Sequence, residues 1–182
     1  MRESRDYIVV VTCTMAIALA ATGCHVASPY EPTPSTATSS ALTDLKALPS
    51  FEDTQAQVQA AVNEIASAVT AIIPAAKFED LHGGSTDRCE APYEQTGGKR
   101  YFLPDRVAAN VAVSDSDWDK VFQAATSAAA KLDASDIQAM QDRPGHHDVG
   151  FYGPAGLFIK VGYQGNLGIS GYTGCRLPAD KH

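Results

Sequence analysis

Residues 21–24, Ala-Thr-Gly-Cys, close a 15-residue apolar run from Tyr7 to Ala21, and no other stretch restricts the chain as much. A run of that length matches the hydrophobic part of a secretory signal. It falls short of the about 20 residues that span a bilayer as a helix. The small side chains of Thr22 and Gly23 let a peptidase approach the backbone just before Cys24. A cysteine placed there reads as an acylation site. Its thiol takes a diacylglyceryl group as a thioether, and the amine freed by cleavage takes a further fatty acid such as palmitate. Two or three chains anchor durably where one is marginal. The expectation is that residues 1–23 are a signal peptide, that Cys24 carries the lipid, and that the remainder works on the extracytoplasmic face of the cell membrane. An uncleaved N-terminal anchor helix is the alternative.

This signal resembles the bacterial lipoprotein pattern, with one departure: Ala21 stands where leucine is commonest. The address sorts the four cysteines. Cys13 leaves with the signal, Cys24 takes the lipid, and Cys89 and Cys175 remain. An even pair in an oxidising compartment reads as a disulfide. It closes a loop of 175 − 89 = 86 residues, worth up to about 4.5 kcal/mol in the chain-entropy picture. Two separate buried thiols are the alternative.

The net charge is −7 and survives cleavage, because Arg2 and Arg5 cancel Glu3 and Asp6. An acidic domain is repelled by phosphates, so nucleic acid is excluded as a partner. Loose adhesion to anionic headgroups is disfavoured for the same reason, which leaves the covalent lipid as the membrane link. Residues 24–43 combine Pro29, Pro32 and Pro34 with many Ser and Thr, and read as an extended, solvated tether. The globular domain is then expected over 44–182, long enough for one core.

Within it, Ser50 with Asp53 three positions on suggests a helix start. Val58, Val62, Ile65, Val69 and Ile72 then recur at helical spacing until Pro74. Residues 78–98 read as a loop pinned by Cys89. Tyr101–Leu103 and the alternating 107–113 suggest strands. Ser114 and Ser116, each with Asp three positions on, offer two caps for a second helix whose stripe is Trp118, Val121, Phe122, Ala125, Ala129 and Leu132. Glycine-rich turns divide the remainder into strands near 137–141, 148–152, 157–164 and 167–175. The expected fold is α+β, a two-layer sandwich of two amphipathic helices on an antiparallel sheet of four to five strands.

Asp87-Arg88-Cys89, Tyr93 with Thr96-Gly97-Gly98, Trp118, and Ser170-Gly171-Tyr172-Thr173-Gly174-Cys175-Arg176-Leu177-Pro178 together resemble mycobacterial LppA-like lipoproteins. The likeness runs from about Ile65 to Pro178. It implies an envelope lipoprotein with no established activity, and it supports the Cys89–Cys175 pairing.

Chemistry is sparse. His146-His147-Asp148 is the best metal-like cluster, with Glu79, Asp80 and His82 as candidate companions, but adjacent strand residues point to opposite faces. No known metal spacing occurs, so neither metal nor cofactor is expected. Gly168-Ile169-Ser170-Gly171 misses the G-x-S-x-G spacing of a nucleophile elbow, and no catalytic residue is assigned. The meander carries Phe151, Tyr152, Phe158, Tyr163 and Tyr172. Parity buries about half of these rings; the others, if bare, form an aromatic face suited to a sugar ring, a lipid or a protein. The leading expectation is a non-enzymatic lipoprotein that meets an envelope protein or glycan. A lipid or glycolipid carrier with a cavity between helices and sheet comes second, and a cell-wall hydrolase third.

Overall fold

The computed structural model describes residues 32–182. The signal peptide, Cys24 and the start of the expected tether lie outside the described residues. Helix α1 spans Ser35–Lys46, α2 Phe51–Ile72 and α3 Asp115–Ala130. Eight strands accompany them: β1 Phe78–Asp80, β2 Ser85–Arg88, β3 Lys99–Phe102, β4 Arg106–Ala108, β5 Asp136–Arg143, β6 His146–Tyr152, β7 Phe158–Tyr163 and β8 Leu167–Tyr172. The α+β class and the antiparallel sheet stand. Among the described residues the counts rise from two helices to three and from four or five strands to eight.

Local rules account for α2 and α3. The Ser50 hydroxyl accepts from the Asp53 backbone N–H at 3.1 Å, and Ser114 does the same for Asp117 at 3.1 Å. Each thereby satisfies one of the donors a helix start leaves open. Val58, Val62, Ile65 and Val69 on α2, and Trp118, Val121, Ala125 and Ala129 on α3, are all buried. They cover Val149, Phe151, Ile159, Val161, Leu167 and Ile169 on one face of the sheet. Alanines on α3 keep the helix close, and Lys131 just past its end ion-pairs with Glu64 of α2 at 2.7 Å. Helix α2 lies tight on β8. A Cβ at Gly171 would stand 2.8 Å from Val58 Cγ1 and 3.0 Å from Val62 Cγ2.

The sheet order is β1-β4-β8-β7-β6-β5, with β3 also on β8 and β2 paired to β3. Strands β3 and β4 share one edge of β8: Phe102 pairs with Tyr172 near one end, and Ala108 with Leu167 at the other. Strands β1 and β2 lie where a loop is expected. They are short edge segments with little buried apolar surface, so alternation does not announce them. The strand expected over 107–113 ends at Ala108 instead. Asn110 turns with φ 53°, and the Tyr163 hydroxyl takes over from a ladder neighbour. It accepts from the Val113 N–H at 3.2 Å and donates to the Val111 carbonyl at 3.1 Å.

Helix α1 corrects the tether. Pro34 sits just before the first turn, where its missing N–H costs nothing. The Ser39 and Thr43 hydroxyls bond back to the carbonyls of Ser35 and Ser39 at 3.0 Å each. Ala41 and Leu45 are buried, and Leu45 packs with Cys89, Cys175 and Leu177. Two apolar residues make no visible stripe, so the helix is held by tertiary contact. Ordered structure therefore starts ahead of residue 44: Thr33 N–H donates to Glu94 Oε1 at 2.9 Å, and Gln95 Nε2 donates to the Thr33 carbonyl at 2.9 Å.

Candidate functional site

Strand alternation gives the sheet a second face, opposite α2 and α3, on which paired residues fall in rows. One row is aromatic: Phe102 on β3, Tyr172 on β8, Phe158 on β7 and Tyr152 on β6 are register partners in that order. Their ring centroids are 4.7, 5.4 and 4.7 Å apart. All four are half-buried. The Arg100 guanidinium sits 5.1 Å above the Phe102 ring. It also donates to Asp87 at 3.0 Å and Glu90 at 2.8 Å. The bond to Asp87 holds that carboxyl below the usual carboxylate range, with the Arg88 N–H contributing next.

The middle row is polar. Ser170 donates to Asp105 Oδ1 at 2.5 Å, and Asp105 Oδ2 lies 3.2 Å from His82 Nε2. The order is Ser–Asp–His. The imidazole therefore reaches the hydroxyl only through the carboxylate, unlike the Ser–His–Asp order that activates a nucleophile. Beside this cluster Lys160 ion-pairs with Asp148 at 2.9 Å.

The third row is nearly bare. Val107, Gly168, Gly162 and Asp148 are successive partners, and above them opens a groove of about 410 Å³. Gln141, Lys160, Gln164 and Asn166 line it together with Leu81, which is 65% exposed. Of the aromatic residues read from the sequence, Tyr152, Phe158 and Tyr172 belong to this open face. Phe151 is core, and Tyr163 packs against the core.

The histidine cluster divides. His147 turns inward, 7% exposed, and stacks on Trp118 with centroids 4.4 Å apart. Its Nδ1 lies 3.1 Å from Asp142. His146 and Asp148 fall on the opposite face. Glu79 and Asp80 do not join them, since β1 is separated from β6 by β4, β8 and β7, and Asp80 ion-pairs with Arg106 at 3.3 Å. Among the described residues no group of three His, Cys, Asp or Glu is placed to hold a metal ion.

Cys89 and Cys175 are disulfide-bonded, with Cα atoms 5.5 Å apart, which removes the separate-thiol alternative. Next to them lies a residue to which the sequence alone gives no role. Arg176 is 2% exposed. Its Nε donates to Thr54 Oγ1 at 3.1 Å, and Nη1 to the carbonyls of Pro154 and Cys175 at 3.1 and 2.7 Å. Burial pushes its guanidinium down to about 10. One cation thus ties α2, the turn before β7 and the disulfide together. The signal available in the sequence was its place beside a cysteine, which says nothing about burial.

The model of the LppA family, described as a lipoprotein confined to pathogenic Mycobacterium, matches residues 26–179. The crystal structure of LppA from Mycobacterium tuberculosis is similar at a TM-score of 0.61 and 15% identity, covering 80% of this chain and 88% of that one. That likeness concerns the fold. A DUF4853 family protein from Actinomyces odontolyticus matches at a TM-score of 0.48 and 16% identity, covering 74% of this chain and 72% of that one. No curated protein matches the sequence.

Proposed function

The chain belongs to the LppA family of lipoproteins, and from that membership we propose a protein held at the extracytoplasmic face of the cell membrane by lipid on Cys24. Its domain is a non-enzymatic surface that meets another envelope component. The observation that carries this reading is the second face of the sheet: four aromatic rings in contact and, across the polar row of Ser170 and Lys160, a nearly bare glycine row, with neither α2 nor α3 packed on them. Exposed aromatic area of this kind marks interaction sites. The rival, a lipid carrier binding between helices and sheet, has less support. Val62, Ile65, Trp118, Phe151, Ile159 and Ile169 fill the centre of that space, which leaves clefts at its margins, about 340 Å³ between α3 and β5–β6 and about 590 Å³ between α2 and β1–β4.

The test places a photo-crosslinking residue at Gln138 or Gln141 on the sheet face, or at Gln123 on α3, in the full-length protein in cells. Adducts from the sheet positions and none from Gln123 are expected. Adducts from Gln123 alone, or none anywhere, would reject the surface. Cys24→Ala should abolish fatty-acid labelling of the protein, and unchanged labelling in that variant would reject the anchor.

A further inference from the structure

We infer that the groove over Gly162 and Gly168 binds a neutral, hydroxyl-rich saccharide chain; this rests on the interaction-surface reading and names its ligand. The fold itself does not require these two glycines. A Cβ at Gly168 would meet nothing within 4 Å, and at Gly162 the nearest atom would be 3.4 Å away, an ordinary contact. Neither has positive φ, whereas Gly165 between them does, at 73°. Gly171 on the opposite face differs, because α2 needs its missing side chain. The bare floor is thus free of any packing or backbone demand and leaves an open trough.

The lining selects the occupant. Lys160 is neutralised by Asp148, and no other Lys or Arg lines the groove. A phosphorylated or carboxylated polymer would find no unpaired lysine or arginine there, and the net charge of −7 opposes its approach. Besides His147 and Tyr163, whose rings pack against Trp118 and the core, what remains is the Lys–Asp pair, a donor and an acceptor side by side, flanked by the amides of Gln141, Gln164 and Asn166. Each amide both donates and accepts, as each sugar hydroxyl does. Leu81 and Val107 offer apolar contact for ring C–H groups. From Gly168 the strand runs about 13 Å to Tyr172, so a chain leaving the groove along β8 reaches the aromatic row. That span suits several linked rings better than one.

The test is calorimetric titration of the full-length lipoprotein in detergent with maltohexaose, cellohexaose and mannohexaose. At least one should bind with a Kd below about 10 mM. Gly168→Leu, whose side chain enters open space, should weaken binding at least tenfold with thermal unfolding unchanged. Tyr172→Ala should weaken it less, and Gln123→Ala on α3 not at all. No heat with any of the three sugars, or equal binding by Gly168→Leu, overturns the inference. Tighter binding of dextran sulfate also overturns it, because it contradicts the charge argument. If the sugars fail while sheet-face crosslinks persist, the saccharide falls and the surface reading stands. If both fail, the surface reading falls as well.

Discussion

Gly171→Ala probes how closely α2 is seated on the sheet. The new methyl carbon would lie 2.8 Å from Val58 Cγ1 and 3.0 Å from Val62 Cγ2, where carbon contacts are most favourable at about 3.5–4.0 Å. Both valines are fully buried, and β-branching leaves them no easy second rotamer. The helix must therefore retreat by several tenths of an ångström, opening gaps along the Val58–Val69 stripe. Overpacking of this kind costs about 1–3 kcal/mol. Replacing glycine returns about 0.4–1 kcal/mol by restricting the unfolded chain, so the net loss should be about 1–2 kcal/mol. Urea unfolding followed by the emission of Trp118, the one tryptophan in the chain, measures it directly. Val58→Ala also destabilises by leaving a cavity, but the cavity lies where the methyl introduced by Gly171→Ala needs room. The double variant should lose at least about 1 kcal/mol less than the two single losses combined. Additivity within about 0.5 kcal/mol, or a neutral Gly171→Ala, would refute the close approach.

Two further perturbations follow from the geometry. Reducing Cys89–Cys175 should lower unfolding free energy by up to about 4.5 kcal/mol, because the bond closes a long loop in the unfolded chain; equal urea midpoints with and without reductant would contradict this. The Asp117 carboxyl is held below its ordinary value of 3.8, first by the Ser114 hydroxyl and then by Lys120. A depressed folded value means its stabilising contribution is present above the ordinary carboxylate value and disappears as pH falls through the folded one. Ser114→Ala should raise the Asp117 titration midpoint seen by carboxyl-carbon NMR and move acid unfolding to higher pH. An unchanged midpoint would contradict the assignment.

What could be read from the sequence was whatever is repeated locally. Ser50 marked one helix start and the pair Ser114 and Ser116 the other, because a cap is satisfied within four residues; the structure selects Ser114. The α2 stripe showed through periodicity, the strands from β5 to β8 through the glycine-rich turns that separate them, and parity separated Phe151 from Tyr152. The Cys89–Cys175 pairing came from counting within an oxidising address. The open face was legible in outline, as aromatic residues of opposite parity, but not as a site. Which rings line up depends on the β3–β8 and β7–β8 registers, and the first of these joins Phe102 to Tyr172, 172 − 102 = 70 positions apart.

Tertiary structure alone decided the rest. Helix α1 carries just Ala41 and Leu45 to the core, too few for a periodic signal, and it forms where the disulfide and Leu177 bury them. Strands β1 and β2 have little apolar side to display, since an edge needs only hydrogen bonds from its neighbour. Arg176 sits in a sequence that gives no hint of burial, and it is buried because carbonyls and a hydroxyl from distant segments converge on it. Patterns along the chain report which residues want to leave water; which partners they find there is settled only when the segments meet.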